Sequence, residues 1–132
     1  GSILTIGDNN GESWHITITA DETNSPVGTL KVNEGYIATS NGAKRFVEYD
    51  GVKYHHIIDP DTSYPADSGV KSCTVYSESG LISDALSTAF FVMGADKTAE
   101  FYSKYNIAEY IITLTDGTII TSDGIAADFT AS

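Results

Sequence analysis

The hydrophobic period of this chain turns helical in one stretch only, and that limits the folds open to it. Before about residue 78 the apolar residues come in short β-type runs or in steps of two. From Leu81 onward, Leu81, Ala85, Thr88, Ala89 and Val92 recur at helical spacing, and Gly94 is a natural stop. The spacing predicts a helix over about 82–93 and a second over about 97–105. Strands, then two helices, then strands is the order of an α+β domain. Two adjacent helices then pack on one face of a mostly antiparallel sheet.

The strand-like part is legible in pieces. Residues 3–6 form a short β-type run closed by the turn signal Gly7-Asp8-Asn9-Asn10-Gly11. In the stretch 14–19, Trp14, Ile16 and Ile18 share one face and His15, Thr17 and Thr19 the other. Two short strands are expected between 28 and 39, around Asn33-Glu34-Gly35. Residues 44–49 and 52–58 read as a hairpin joined at Asp50-Gly51, a strong hairpin signal. Two of the three prolines fall in the sharp turn Asp59-Pro60-Asp61-Thr62-Ser63-Tyr64-Pro65. Further strands are expected over 70–77, 109–114 and 118–121, the last two joined at Asp116-Gly117.

At 132 residues the chain has the length of one domain. Seven Lys and Arg stand against 18 Asp and Glu, a net charge of −11. That balance argues against nucleic acid and anionic membrane surfaces, which reward basic patches. An anionic ligand stays compatible with it where a metal ion or backbone amides carry the positive charge. The single cysteine, Cys73, excludes a disulfide framework within the chain and any multi-cysteine metal site. No apolar run approaches the roughly 18 residues that a membrane-spanning helix needs.

Few residues carry chemistry on their own. Asp84 and Thr88 are four apart on the first predicted helix, so their side chains lie on one face. A carboxylate and a hydroxyl so placed can share a hard cation such as Mg²⁺, with waters or phosphates completing the sphere. On spacing alone the plainer explanation is favoured. Asp84 would charge or cap the first turn, and Thr88 would bond back to a carbonyl. His56, just before the Asp59-Pro60 turn, is placed to act as a base, or is a half-buried histidine bonded to the backbone. His15 reads as surface and Cys73 as a small buried hydrophobe.

Two segments are more specific together than their parts. Tyr54-His55-His56-Ile57-Ile58-Asp59-Pro60-Asp61-Thr62-Ser63-Tyr64-Pro65 resembles the His-Ile-Ile-Asp-Pro-x-Thr-Gly-x-Pro motif of the ApbE family, the FAD:protein FMN transferases. Ser83-Asp84-Ala85-Leu86-Ser87-Thr88-Ala89-Phe90-Phe91-Val92-Met93-Gly94 resembles that family's Ala-Asp-Ala-Leu-Ser-Thr-Ala-Leu-Phe-Val-Met-Gly helix. Weaker echoes are Ile37-Ala38-Thr39-Ser40 and the segment from Gly11 to Ile18.

The resemblance implies an ApbE-like, T-fold-like architecture and a Mg²⁺-dependent enzyme. Such an enzyme splits FAD, releases AMP and attaches FMN to a Thr or Ser of an acceptor protein. It implies Asp84, Thr88 and Ser87 at the metal, His56 in the transfer step, and Ile58, Asp59 and Thr62 at the flavin nucleotide. Ser63 and Asp61 stand where the family has Gly and commonly Arg. Members of the family are more than twice this length and are often exported lipoproteins. The chain is therefore read as the C-terminal part of such an enzyme, with weak activity alone and possible self-association through the face the missing part would cover. The alternative reading is a non-catalytic ApbE-like binding or structural module.

Overall fold

The computed structural model describes residues 2–6, 14–19, 26–41, 46–49, 52–55 and 69–131. Ten strands, two α-helices and one 3₁₀ helix are found among them. The strands are β1 (Ser2–Ile6), β2 (Trp14–Thr19), β3 (Pro26–Val32), β4 (Gly35–Asn41), β5 (Phe46–Tyr49), β6 (Val52–His55), β7 (Val70–Ser77), β8 (Glu109–Leu114), β9 (Ile119–Thr121) and β10 (Phe129–Ala131). The helices are α1 (Gly80–Met93) and α2 (Ala95–Tyr105), and the 3₁₀ turn covers Asp123–Asp128. The α+β expectation holds. Every strand pairing among the described residues is antiparallel, and both helices are close to where the period placed them.

The main sheet has five strands in the order β1-β4-β7-β8-β9. Its central strands are buried on both faces, which explains the apolar run in β8. Tyr110 and Ile112 of β8 join Cys73, Val75, Phe90 and Phe91 in the core beneath the helices. Ile111, between them, points to the other face and meets Ile37, Leu30, Val32 and Ile18. That second face is covered by a three-stranded sheet, β10-β3-β2. The result is three layers, with helices on one side of the main sheet and a small sheet on the other. The hairpin β5–β6 is found as expected, with Tyr49 opposite Val52.

The helix ends follow from local chemistry. Ser79 caps α1, its hydroxyl accepting from the Ile82 N–H at 3.2 Å. Gly94 closes α1 with a positive φ of 87° and donates its N–H to Phe90 O. Asn106 ends α2 in the left-handed region, φ 47° and ψ 48°, where Asn is among the better-tolerated residues. Both helices begin two residues earlier than the sequence spacing indicated, at Gly80 and Ala95. The cap at Ser79 and the shared Gly94, rather than the apolar period, set those starts. Among the described residues, no helix is long and apolar enough to cross a membrane.

Two features depart from the expectation. Asn33-Glu34 does not turn the chain back on itself within one sheet; β3 and β4 belong to different layers. The chain also continues past the last expected strand into the 3₁₀ turn and β10. A polar knot holds this tail. Tyr102 Oη lies 3.0 and 3.1 Å from the two Glu109 carboxylate oxygens and can donate to either, while Ser122 Oγ donates to Glu109 at 2.6 Å. Tyr102 Oη also accepts the Gly124 N–H at 3.2 Å. Desolvation raises the Tyr102 hydroxyl above its ordinary pKa, and the neighbouring Glu109 carboxylate adds to the rise.

Gly28 faces β10 closely enough that a side chain there would run into the Phe129 ring and the Thr130 carbonyl oxygen. Gly28→Ala is therefore expected to destabilise the fold by about 1–3 kcal/mol through overpacking. A urea melt measures this, and an unchanged midpoint would mean that β10 does not pair with β3 as described.

Candidate functional site

The site is built where α1 crosses the main sheet. β4 brings Ser40 to the sheet face beneath the helix, fully buried. From α1, Ser87 and Thr88 reach it. Ser40 Oγ lies 3.0 Å from Ser87 Oγ and 3.2 Å from Thr88 Oγ1. Ser87 Oγ donates to the Asp84 carbonyl at 3.0 Å. One turn before Ser87, Ser83 is equally buried; it donates to Tyr36 O at 3.0 Å and lies 2.6 Å from Ser77 Oγ. Small hydroxyl residues thus line the seam between α1 and strands β4 and β7, and each buried oxygen finds a partner.

This geometry bears on the plainer readings of Asp84 and Thr88. Asp84 does not cap α1, because Ser79 holds that position and the first turn contains no acid. Asp84 is half-buried as a residue, and its carboxylate accepts no hydrogen bond among the described residues. The partner of Thr88 is the Ser40 hydroxyl, not a carbonyl of its own helix. Ser87 is fully buried, with its side chain tied to both helix and strand.

The protons in this seam can be ordered. With the Ser87 proton on Asp84 O and all three bonds made together, Ser87 accepts from Ser40. In that arrangement Ser40 accepts from Thr88. The order is Thr88 to Ser40 to Ser87 to the Asp84 carbonyl. In that order Thr88 has its proton engaged with Ser40, the arrangement in which a hydroxyl can turn a lone pair toward a cation.

The donor set fits a hard divalent cation. It offers one carboxylate and one hydroxyl, four residues apart on a single helix, and leaves most of the sphere to water or phosphate, as Mg²⁺ prefers. Among the described residues, no group of three or more His, Cys, Asp or Glu gathers into a fuller cage. The other expected site residues, His56, Ile58, Asp59 and Thr62, lie outside the described residues. Ser40 was not among the expected site residues. The only sequence signal for it was its place in the segment Ile37-Ala38-Thr39-Ser40.

Two further features carry no comparable chemistry. Burial raises the Cys73 thiol far above its ordinary range, which leaves it an inert core residue. A groove of about 740 Å³ at the start of α1 is bordered by Glu34, Glu78 and Glu109. Three carboxylates around one opening repel a pyrophosphate, so this groove is unsuited to an anionic nucleotide.

Comparison with known proteins agrees with the motifs. The family model described as the ApbE family matches residues 1–112. The FAD:protein FMN transferase of Haemophilus influenzae is 33% identical over 130 residues, which is 96% of this chain and 38% of that protein. The FAD:protein FMN transferase of Treponema pallidum is 35% identical over 100 residues, covering 76% of this chain and 28% of the relative. Among solved structures, the ApbE protein of Thermotoga maritima superposes with a TM-score of 0.79 at 36% identity, over 94% of this chain and 41% of its own. The flavin transferase ApbE of Vibrio cholerae gives 0.68 at 30% identity, over 93% and 40%. The chain spans well under half the length of these relatives. With the family match covering most of its residues and its layers superposing on solved members, this chain belongs to the ApbE family.

Proposed function

We propose that this chain is the metal-holding, C-terminal part of a Mg²⁺-dependent FAD:protein FMN transferase. One observation carries the reading. Asp84 and Thr88 stand one turn apart on α1, with the Thr88 hydroxyl bonded to Ser40, in a chain whose curated relatives are named for FMN transfer from FAD. Asp84 and Thr88 hold the cation, and Ser87, bonded on both sides, supports them from beneath. The cation supplies positive charge at the pyrophosphate, which a chain of net charge −11 otherwise lacks.

The remaining roles fall to the segment from His56 to Thr62. The oxygen of an acceptor Thr or Ser bonds to the flavin-side phosphorus, the bridging bond to the AMP phosphate breaks, and AMP leaves. His56 takes the proton of the acceptor hydroxyl, a common task of histidine as a general base. Ile58 packs beside the flavin, and Asp59 and Thr62 line the nucleotide. Because the chain spans well under half of its relatives, binding and turnover by the chain alone are expected to be weak.

Calorimetric titration with FAD, in the presence and absence of Mg²⁺, tests this reading. The expected result is binding seen only with Mg²⁺, followed by slow AMP release. FAD binding that ignores Mg²⁺, or no binding at millimolar Mg²⁺, would overturn it.

A further inference from the structure

We propose that Ser40 is a positioning residue for the Thr88 hydroxyl; the inference rests on the cation reading given above. A neutral hydroxyl that ligates a cation has to point a lone pair at it and its proton elsewhere. Three observations assign that task to Ser40. It is fully buried beneath α1, so water does not compete for its hydroxyl. It is the hydrogen-bond partner of Thr88 Oγ1, at 3.2 Å. It is also bonded to Ser87, whose proton reaches the Asp84 carbonyl at 3.0 Å, so with all three bonds made together Ser40 receives the Thr88 proton.

The chain of hydroxyls therefore sets the direction of the Thr88 dipole from the strand side. It also returns to the backbone of the residue whose side chain supplies the carboxylate. In such a relay each bond polarises the next, so the Thr88 oxygen becomes a better donor to a cation than an isolated hydroxyl. Without Ser40 the Thr88 proton is free to turn toward the cation, where it is repelled, and the side chain loses its anchor. Partners of this kind, one shell out from a metal, typically alter affinity by about 10- to 100-fold.

The test is Mn²⁺ affinity read by electron paramagnetic resonance on the intact chain, with thermal midpoints measured in the absence of metal. Ser40→Ala is expected to weaken Mn²⁺ binding by about 10-fold or more. Ser83→Ala removes a buried hydroxyl from the same seam but lies outside the bonds that reach Thr88, since Ser83 bonds Ser77 and the Tyr36 carbonyl. Its Mn²⁺ affinity is expected to stay that of the unsubstituted chain. In a Thr88→Ala background, Ser40→Ala is expected to add nothing further, since coupling is what a double-mutant cycle isolates.

Equal losses from Ser40→Ala and Ser83→Ala, or an undiminished loss in the Thr88→Ala background, would overturn the positioning role and leave the cation reading intact. Failure of the unsubstituted chain to bind Mn²⁺ would overturn both. Should Ser40→Ala not fold, Ser40→Cys keeps the volume and replaces the hydroxyl by a weak acceptor, with the same expected loss.

Discussion

Asp84→Ala is expected to abolish the Mg²⁺ dependence of FAD binding, with a loss of metal affinity of at least about 100-fold. The magnitude follows from position. Partners one shell removed from a metal already cost 10- to 100-fold, and Asp84 offers the only carboxylate of the proposed donor set. The fold should hardly notice, because Asp84 is half-buried on the second turn of α1 and accepts no hydrogen bond among the described residues. Calorimetry with FAD and Mg²⁺ measures the first effect and a metal-free urea melt the second. Asp84→Asn keeps the shape, removes the charge and should fall in the same direction. If Asp84→Ala still binds FAD in a Mg²⁺-dependent way, the cation sits elsewhere.

Phe90→Ala is expected to have the largest effect on stability, a loss of about 3–5 kcal/mol. Phe90 is 1% exposed and stands at the junction of three elements. Its ring meets Phe101 of α2 edge-on at 5.4 Å between centroids and Tyr110 of β8 at 5.7 Å. Removing it opens a cavity that neither partner can fill without leaving its own contact, so collapse is blocked and the cost stays high. For a domain of this size the loss corresponds to a fall in thermal midpoint of roughly 10–20 °C. A shift of only a few degrees would show that α2 does not pack on β8 through this ring.

Much of the core scaffold was legible because its signals are local. β7 and β8 announce themselves through β-branched and aromatic runs, and α1 through its period, so their bounds agree closely with expectation. What escaped was whatever depends on pairing at a distance. The segment Asp123-Gly124-Ile125-Ala126-Ala127-Asp128 has neither a period of two nor one of 3.6, and it is ordered by Glu109 and Tyr102, which belong to other elements. The turn at Asn33-Glu34 resembles any other turn in sequence, although it carries the chain from one layer to the next. The site divides in the same way. Asp84 and Thr88 share a helix face and were visible as a pair. Ser40 is 48 residues from Thr88, and a lone serine in a strand gives no hint that a threonine hydroxyl will rest on it.

The three-stranded sheet also bears on the order in which the molecule can assemble. β7, α1, α2 and β8 follow one another directly and bury their core among near neighbours. β10 pairs with β3, Ala131 opposite Gly28, so roughly a hundred residues must be brought into place before that edge is complete. Leu30 and Val32 are covered only when the small sheet stands over the main one. Until the tail arrives, β3 keeps an open edge, and a strand edge lacking its partner is where chains pair wrongly with one another. During synthesis this half of the molecule therefore waits longest, and it is the half in which a chaperone would find something to hold.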